Sequence, residues 1–214
     1  MAKTRTRKAP TREERKARTR AELLDAAERL FVRDGFHATS VDAIADEARF
    51  TKGAVYSNFE SKEDLFLAVY ERRVERAVRE MEGAIAAADD PAAGIERLAA
   101  EAAARRAQED GWLAVFFEFW AHALRDPKLR ERFAALHSRF LDPLVAATAQ
   151  AFAKRGAEPY EEPRKLATAW NAMQLGLLLE RLTQPEVVDE RLAARMMRIA
   201  FEERRERGSG PLQS

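Results

Sequence analysis

No cysteine occurs among the 214 residues, so disulfide frameworks, thiolate nucleophiles and thiolate metal sites are excluded together. A reducing compartment is consistent with that. Glycine (9) and proline (8) are scarce, whereas Ala, Leu, Glu and Arg, which lose least on entering a helix, dominate. An all-α fold follows before any periodicity is counted. The longest strongly apolar stretch, 112–124, is interrupted by Glu118 and His122 and falls short of the ~20 residues of a membrane span. No transmembrane helix or membrane partner is expected. The N-terminus lacks the apolar run of a secretory signal, and a cytoplasmic location is expected. G-x-S-x-G, P-loop and H-E-x-x-H motifs are absent, and His37, His122 and His137 show no paired catalytic spacing. Neither an enzyme, a cofactor nor a metal site is expected.

Charge of one sign is missing only on average. The formal net charge is +1, yet residues 1–20 carry nine Lys and Arg against Glu13 and Glu14, a local +7 that leaves −6 for the remainder. A basic end attached to an acidic body suggests that one end meets a polyanion.

Leu23, Leu24, Ala27, Leu30 and Phe31 recur at helical spacing, and Gly35 offers a left-handed cap after Asp34. Thr39, with Asp42 three residues on, predicts a capping box for a short helix over 40–48 whose buried stripe is Val41, Ile44, Ala45 and Ala48. Thr51 can cap a third segment to Asn58, in which Val55 and Phe59 face inward. Ser61 and Asp64 form another box, followed by one apolar stripe through Leu65, Phe66, Val69, Tyr70, Val74, Ala77, Val78 and Met81. Breaks at 89–94, Asp110-Gly111, Asp126-Pro127, 156–163 and Gln184-Pro185 separate five further helical stretches, the last ending near Arg207.

Two short helices joined by a tight turn at Arg49-Phe50, behind a supporting first helix, satisfy a helix-turn-helix over 41–59. The third helix then enters the major groove. Its first turn presents the Thr51 hydroxyl, the Lys52 ammonium and the amides of Gly53 and Ala54, which suit phosphate oxygens and base edges. Tyr56, Ser57 and Asn58 neighbour the inward Val55 and Phe59 and point toward the groove. Taken alone, Tyr56 reads as a half-buried aromatic and Lys52 as a solvated charge; the whole string reverses that.

The run Phe50-Thr51-Lys52-Gly53-Ala54-Val55-Tyr56-Ser57-Asn58-Phe59, followed by Ser61-Lys62-Glu63-Asp64-Leu65-Phe66, resembles the recognition helix and next helix start of the tetracycline-repressor (TetR) family. The likeness is strong over 21–66. It implies DNA contacts from Thr39, Thr51, Lys52, Gly53, Ala54, Tyr56, Ser57, Asn58 and Lys62, with Val55 and Phe59 structural. Arg49 stands where such turns commonly carry Gly; a left-handed conformation there costs about 1 kcal/mol, which a phosphate contact would offset.

A helix-turn-helix gains affinity by pairing on two half-sites, so a homodimer on palindromic, double-stranded operator DNA is expected. The stretch 164–182 is apolar nearly all round, and Gly176 permits close approach. Leu175, Gly176, Leu178, Leu179 and Leu182, with Leu192, Met196 and Ile199 of the final helix, are the candidate dimer face. A role for these residues in the single-chain core is the alternative. Aromatics concentrate in the middle of the chain. TetR-like proteins hold an effector cavity among the corresponding helices, and apolar walls with few polar groups describe such pockets. Candidate ligand contacts are Trp112, Phe116, Phe117, Trp120, His122, Phe140, Trp170 and Met173. Glu118 and His122, at i and i+4, are expected first as satisfied polar groups, with His122 a candidate for polar recognition.

The expected organisation is a basic flexible arm (1–18), a helix-turn-helix DNA-binding domain (19–66), a larger helical effector-binding and dimerisation domain (67–207) and a disordered tail (208–214). The expected function is a ligand-responsive repressor released by an apolar or amphipathic small molecule that moves the two recognition helices out of register. A ligand-independent DNA-binding or architectural protein is the alternative.

Overall fold

The computed structural model describes residues 11–88, 110–154, 156, 158–188 and 192. Among them lie seven helices and no strand: α1 (Arg12–Asp34), α2 (Val41–Ala48), α3 (Lys52–Tyr56), α4 (Lys62–Ala86), α5 (Asp110–Ala123), α6 (Pro127–Lys154) and α7 (Pro163–Thr183). The chain is therefore all-α, as its composition predicts.

α1 begins earlier than expected. Thr11 Oγ1 accepts the Glu14 N–H and the Glu14 carboxylate accepts the Thr11 N–H, a reciprocal cap that starts the helix at Arg12. Residues 12–18, read as part of a flexible arm, are instead the solvated first turns of α1. The sequence has no apolar stripe there, and residues 12–18 are exposed. Residues 1–10 and 208–214 lie outside the described residues.

The next cap also shifts. Ser40, not Thr39, caps α2 by accepting the Ala43 N–H at 3.0 Å. Thr39 is turned inward, and its hydroxyl reaches the carbonyls of Gly35 (2.7 Å) and Leu30 (3.3 Å). α2 ends at Arg49, which adopts the left-handed conformation (φ 59°) expected of a turn that usually carries glycine. At the predicted break Asp126-Pro127, Asp126 caps α6 through the N–H groups of Lys128 and Leu129.

α1 packs on α2, α4 and α5, α4 packs on α6, and α6 on α7. One apolar core runs from Leu23, Phe31 and Ile44 through Phe59 and Phe66 to Phe116, Phe119 and Phe133, so α1–α3 are welded to the helices behind them. A smaller cluster of Met81, Leu141, Leu144, Ala147 and Ala167 closes the far end.

Candidate nucleic-acid interface and ligand cavity

α3 is only five residues long, and its placement depends on contacts at both ends. Thr51 Oγ1 accepts the Ala54 N–H at its start, while Val55 and Phe59 are buried on its inner side. At its end, Arg20 of α1 donates to the Asn58 carbonyl at 3.2 Å and lays its guanidinium over the Phe59 ring at 4.3 Å. Sequence reasoning missed Arg20, whose partner lies 38 residues away.

With the inner side fixed, the outer side is defined. Tyr56 is 50% exposed, and Arg49, Thr51, Lys52, Gly53 and Ser57 are also exposed, with Ala54 partly so. Lys52 Nζ donates to Asp42 at 2.9 Å, and that hydrogen bond, with the charge behind it, raises the ammonium pKa. Lys52 stays cationic at the mouth of the helix.

Three predicted DNA contacts have other work. Thr39 is 2% exposed and presents nothing to a groove. Lys62 Nζ donates to the carbonyls of Phe36 (2.8 Å), His37 (3.3 Å) and Thr39 (3.0 Å) and lies over the Phe36 ring, so it clamps the α1–α2 loop. Asn58 is half-turned inward, its Nδ2 donating to the Ala54 carbonyl at 2.8 Å, and it finishes α3 more than it extends from it. Ser57 likewise donates to Ala54.

The head joins the body at α5. Glu118 accepts the N–H groups of Phe36 and His37, both at 2.8 Å, capturing the donors left free where the chain leaves α1. Gly35 (φ 87°) and Gly111 make this approach possible: a Cβ on Gly35 would sit 2.8 Å from the Glu118 carboxylate, and one on Gly111 2.5 Å from the Val32 carbonyl oxygen. His122 belongs to the same junction. Its Nε2 faces Glu63 at 3.5 Å and its ring packs on Phe36 and His37, which withdraws it from the predicted ligand set.

A cavity of about 250 Å³ opens between α4, α5, α6 and α7. α4 contributes Tyr70, Arg73, Val74, Arg76, Ala77 and Glu80, and α5 contributes Trp112, Leu113 and Phe116. His137 and Phe140 of α6 face Asn171, Gln174, Leu175 and Leu178 of α7. Of the predicted contacts, Trp112, Phe116 and Phe140 line it. Phe117 and Trp120 do not: Trp120 packs behind, on Phe133 and His137, and Phe117 stacks on Trp120. Trp170 lies instead against the Leu141–Leu144 cluster, and Met173, partly buried on α7, is also outside the wall.

The polar groups of the cavity were not foreseen. His137 Nδ1 lies 3.0 Å from Tyr70 Oη, and its Nε2 lies 3.5 Å from Asn171 Nδ2. Burial lowers the His137 pKa and raises that of the Tyr70 phenol, so the pair stands as neutral imidazole and protonated phenol. Gln174 Nε2 is buried with no hydrogen-bond partner among the described residues.

On α7, Leu179 and Leu182 are 46% and 42% exposed and Gly176 has open space where a side chain would be. Leu175 and Leu178, placed by sequence in the dimer face, also wall the cavity. Leu192 is described and partly buried; Met196 and Ile199 lie outside the described residues. No described helix is long and apolar enough to cross a membrane.

Comparison with known proteins places the two halves of the chain. Residues 23–69 match the family profile "Bacterial regulatory proteins, tetR family", and residues 91–204, more than half of the chain, match "BetI-type transcriptional repressor, C-terminal". A transcriptional activator, FasR of Mycolicibacterium smegmatis, is 46% identical over 59 residues, which is 28% of this chain and 27% of that protein. The chain covers only about a quarter to a third of the length of the first curated relatives it matches. The crystal structure of FadR from Bacillus subtilis with stearoyl-CoA superposes with a TM-score of 0.71 at 16% identity, over 85% of this chain and 97% of that one. The complex of SmeT, the Stenotrophomonas maltophilia efflux-pump repressor, with triclosan gives 0.67 at 25% identity, over 86% and 91%.

Proposed function

Because the chain belongs to the TetR family of bacterial transcriptional regulators, which are not enzymes, we propose that it is a cytoplasmic repressor that binds a palindromic operator as a homodimer and lets go when a small apolar or amphipathic effector fills the cavity beside α4. The observation that carries the DNA-binding part is Tyr56. A tyrosine half exposed on a five-residue helix, whose opposite side is locked by Val55 and Phe59, has no packing reason to be there. With Lys52, Thr51, Gly53 and Ser57 it makes up the exposed side of a short helix of the kind that lies in a major groove. Arg49, exposed beside that helix, is suited to a phosphate.

The exposed Leu179 and Leu182 beside Gly176 support pairing through α7. The cavity, apolar on most sides with a few convergent polar groups, supports an effector; FadR and SmeT, of the same fold, were crystallised with stearoyl-CoA and triclosan. On this reading 19–66 read DNA with α1 extended back to Arg12, and 67–207 bind effector and partner.

The test is a mobility shift on DNA from upstream of the protein's own gene, repeated with a panel of hydrophobic compounds. Tyr56→Ala should lower operator affinity at least about tenfold while leaving the unfolding midpoint within the ~0.5 kcal/mol of a surface change. Full operator binding by that variant would remove α3 as the reading element. Operator affinity that no compound alters would leave a DNA-binding regulator without an effector.

A further inference from the structure

We infer that the first two turns of α1 are a cationic ridge that grips DNA phosphates beside the segment read by α3. This rests on α3 being the reading element, and it gives the ridge contacts that carry no sequence information. The cap supplies the order. The reciprocal hydrogen bonds of Thr11 and Glu14 start α1 at Arg12, whereas the first buried residue of the helix is Leu23. Residues 12–18 are exposed, so what those turns hold in place is charge.

That charge is sorted around the helix. Arg12, Lys16 and Arg20 stand at i, i+4 and i+8, in one line along one side. Arg20 identifies the side: it donates to the Asn58 carbonyl and covers the Phe59 ring, so the line runs up to the end of α3. Lys16 and Arg12 continue it about 6 and 12 Å farther along the axis. Neither has a partner among the described residues.

The neighbouring carboxylates are placed elsewhere. Glu14 closes the cap, Glu22 holds Arg18 at 2.7 Å, and Glu13 stands about a quarter-turn aside from Arg12. The helix amides are not the site, since Thr11 Oγ1 already takes the Glu14 N–H. A polyanion meeting α3 therefore finds two cations fixed on the adjoining helix. Cations held on a helix bind phosphates without the ordering cost that a loose chain pays.

The experiment measures, over a range of salt concentrations, binding of the full chain to DNA from upstream of its own gene and to an unrelated duplex of equal length. Arg12→Ala combined with Lys16→Ala keeps a good helix former at both positions. It should weaken binding to both duplexes at least about tenfold at low salt and flatten the slope of log affinity against log salt by about 1.8, two contacts at ~0.9 each. The preference for the operator should stay within about twofold of the parent's. Tyr56→Ala should do the reverse, cutting the preference and keeping the slope. Thr11→Ala removes no charge; by fraying the ridge it should weaken binding to both duplexes about two- to fivefold. An unchanged slope in the double variant would overturn the phosphate assignment, and so would a loss confined to the operator, because phosphates are common to both duplexes. T11A binding as tightly as the parent would overturn the part played by helical order. Equal binding of both duplexes by the parent would overturn operator reading by α3, while the salt slopes judge the ridge separately.

Discussion

Along α4, one helix passes through two unlike surroundings. Near its start Phe66 is fully buried, with Phe119 stacked on it at 4.0 Å and Phe31 and Phe36 edge-on beside it. One to three turns later, Tyr70, Arg73, Val74 and Ala77 face a cavity. Packed aromatic rings transmit displacement because they have nowhere to yield, whereas a cavity wall can move when it is filled. On the proposed reading, this contrast makes α4 a lever with a rigid end in the head and a responsive end in the body.

The sharpest way to break that comparison is to cut equivalent amounts of aromatic surface at its two ends. Phe119→Ala should destabilise the protein by about 3–5 kcal/mol in urea unfolding, because its rigid surroundings cannot collapse. Phe140→Ala, on a wall that already borders open space, should lose less than about 2 kcal/mol. Equal losses would mean that the two ends are packed alike.

A smaller effect is expected at the junction itself. Gly111→Ala places a methyl group 2.5 Å from the Val32 carbonyl oxygen, a backbone atom that cannot swing aside. It should cost about 1–3 kcal/mol and, by pushing α5 from α1, lower operator affinity as well. A variant as stable as the parent would show that the junction has slack.

The smallest effect belongs to the cavity. Burial depresses the His137 pKa below its ordinary 6.5, so the unfolded chain binds the proton more readily. The stability contributed by neutral His137 is complete above pH 6.5 and is lost as the pH falls from there through the lower folded-state value. The slope contributed by this one group is at most about 1.4 kcal/mol per pH unit, and His137→Asn should remove it from the urea midpoints measured between pH 7.5 and 5. An unchanged slope would place the acid sensitivity elsewhere.

These two ends also differ in how far they could be read from sequence. The head was legible because its determinants are local: caps at Thr51 and Ser61, a left-handed turn at Arg49, and the inward pair Val55 and Phe59, each within a few residues of what it fixes. Even there, adjacent Thr39 and Ser40 are both competent caps, and only the burial of Thr39 under the Gly35 carbonyl decides between them. Lys62 looked like a phosphate contact because nothing in its neighbourhood reveals that it curls back 26 residues to the Phe36 carbonyl. The cavity was legible only as a zone of aromatics. Its polar groups come from three helices, with Tyr70 and His137 67 residues apart and His137 and Asn171 34 apart, and no periodicity joins positions so distant.

Glu118 fastens the head through hydrogen bonds from two main-chain N–H groups, beside which the exposed His37 imidazole stands 4.0 Å from the same carboxylate. Such a clasp is blind to which side chains stand at the two positions it holds, so substitutions there can accumulate without releasing the grip. All of the chemical demand falls on the clasping residue, whose reach and twin oxygens neither aspartate nor glutamine reproduces in full. A variant library covering these three positions should therefore tolerate wide variety at His37, a narrower apolar range at Phe36 and almost none at Glu118.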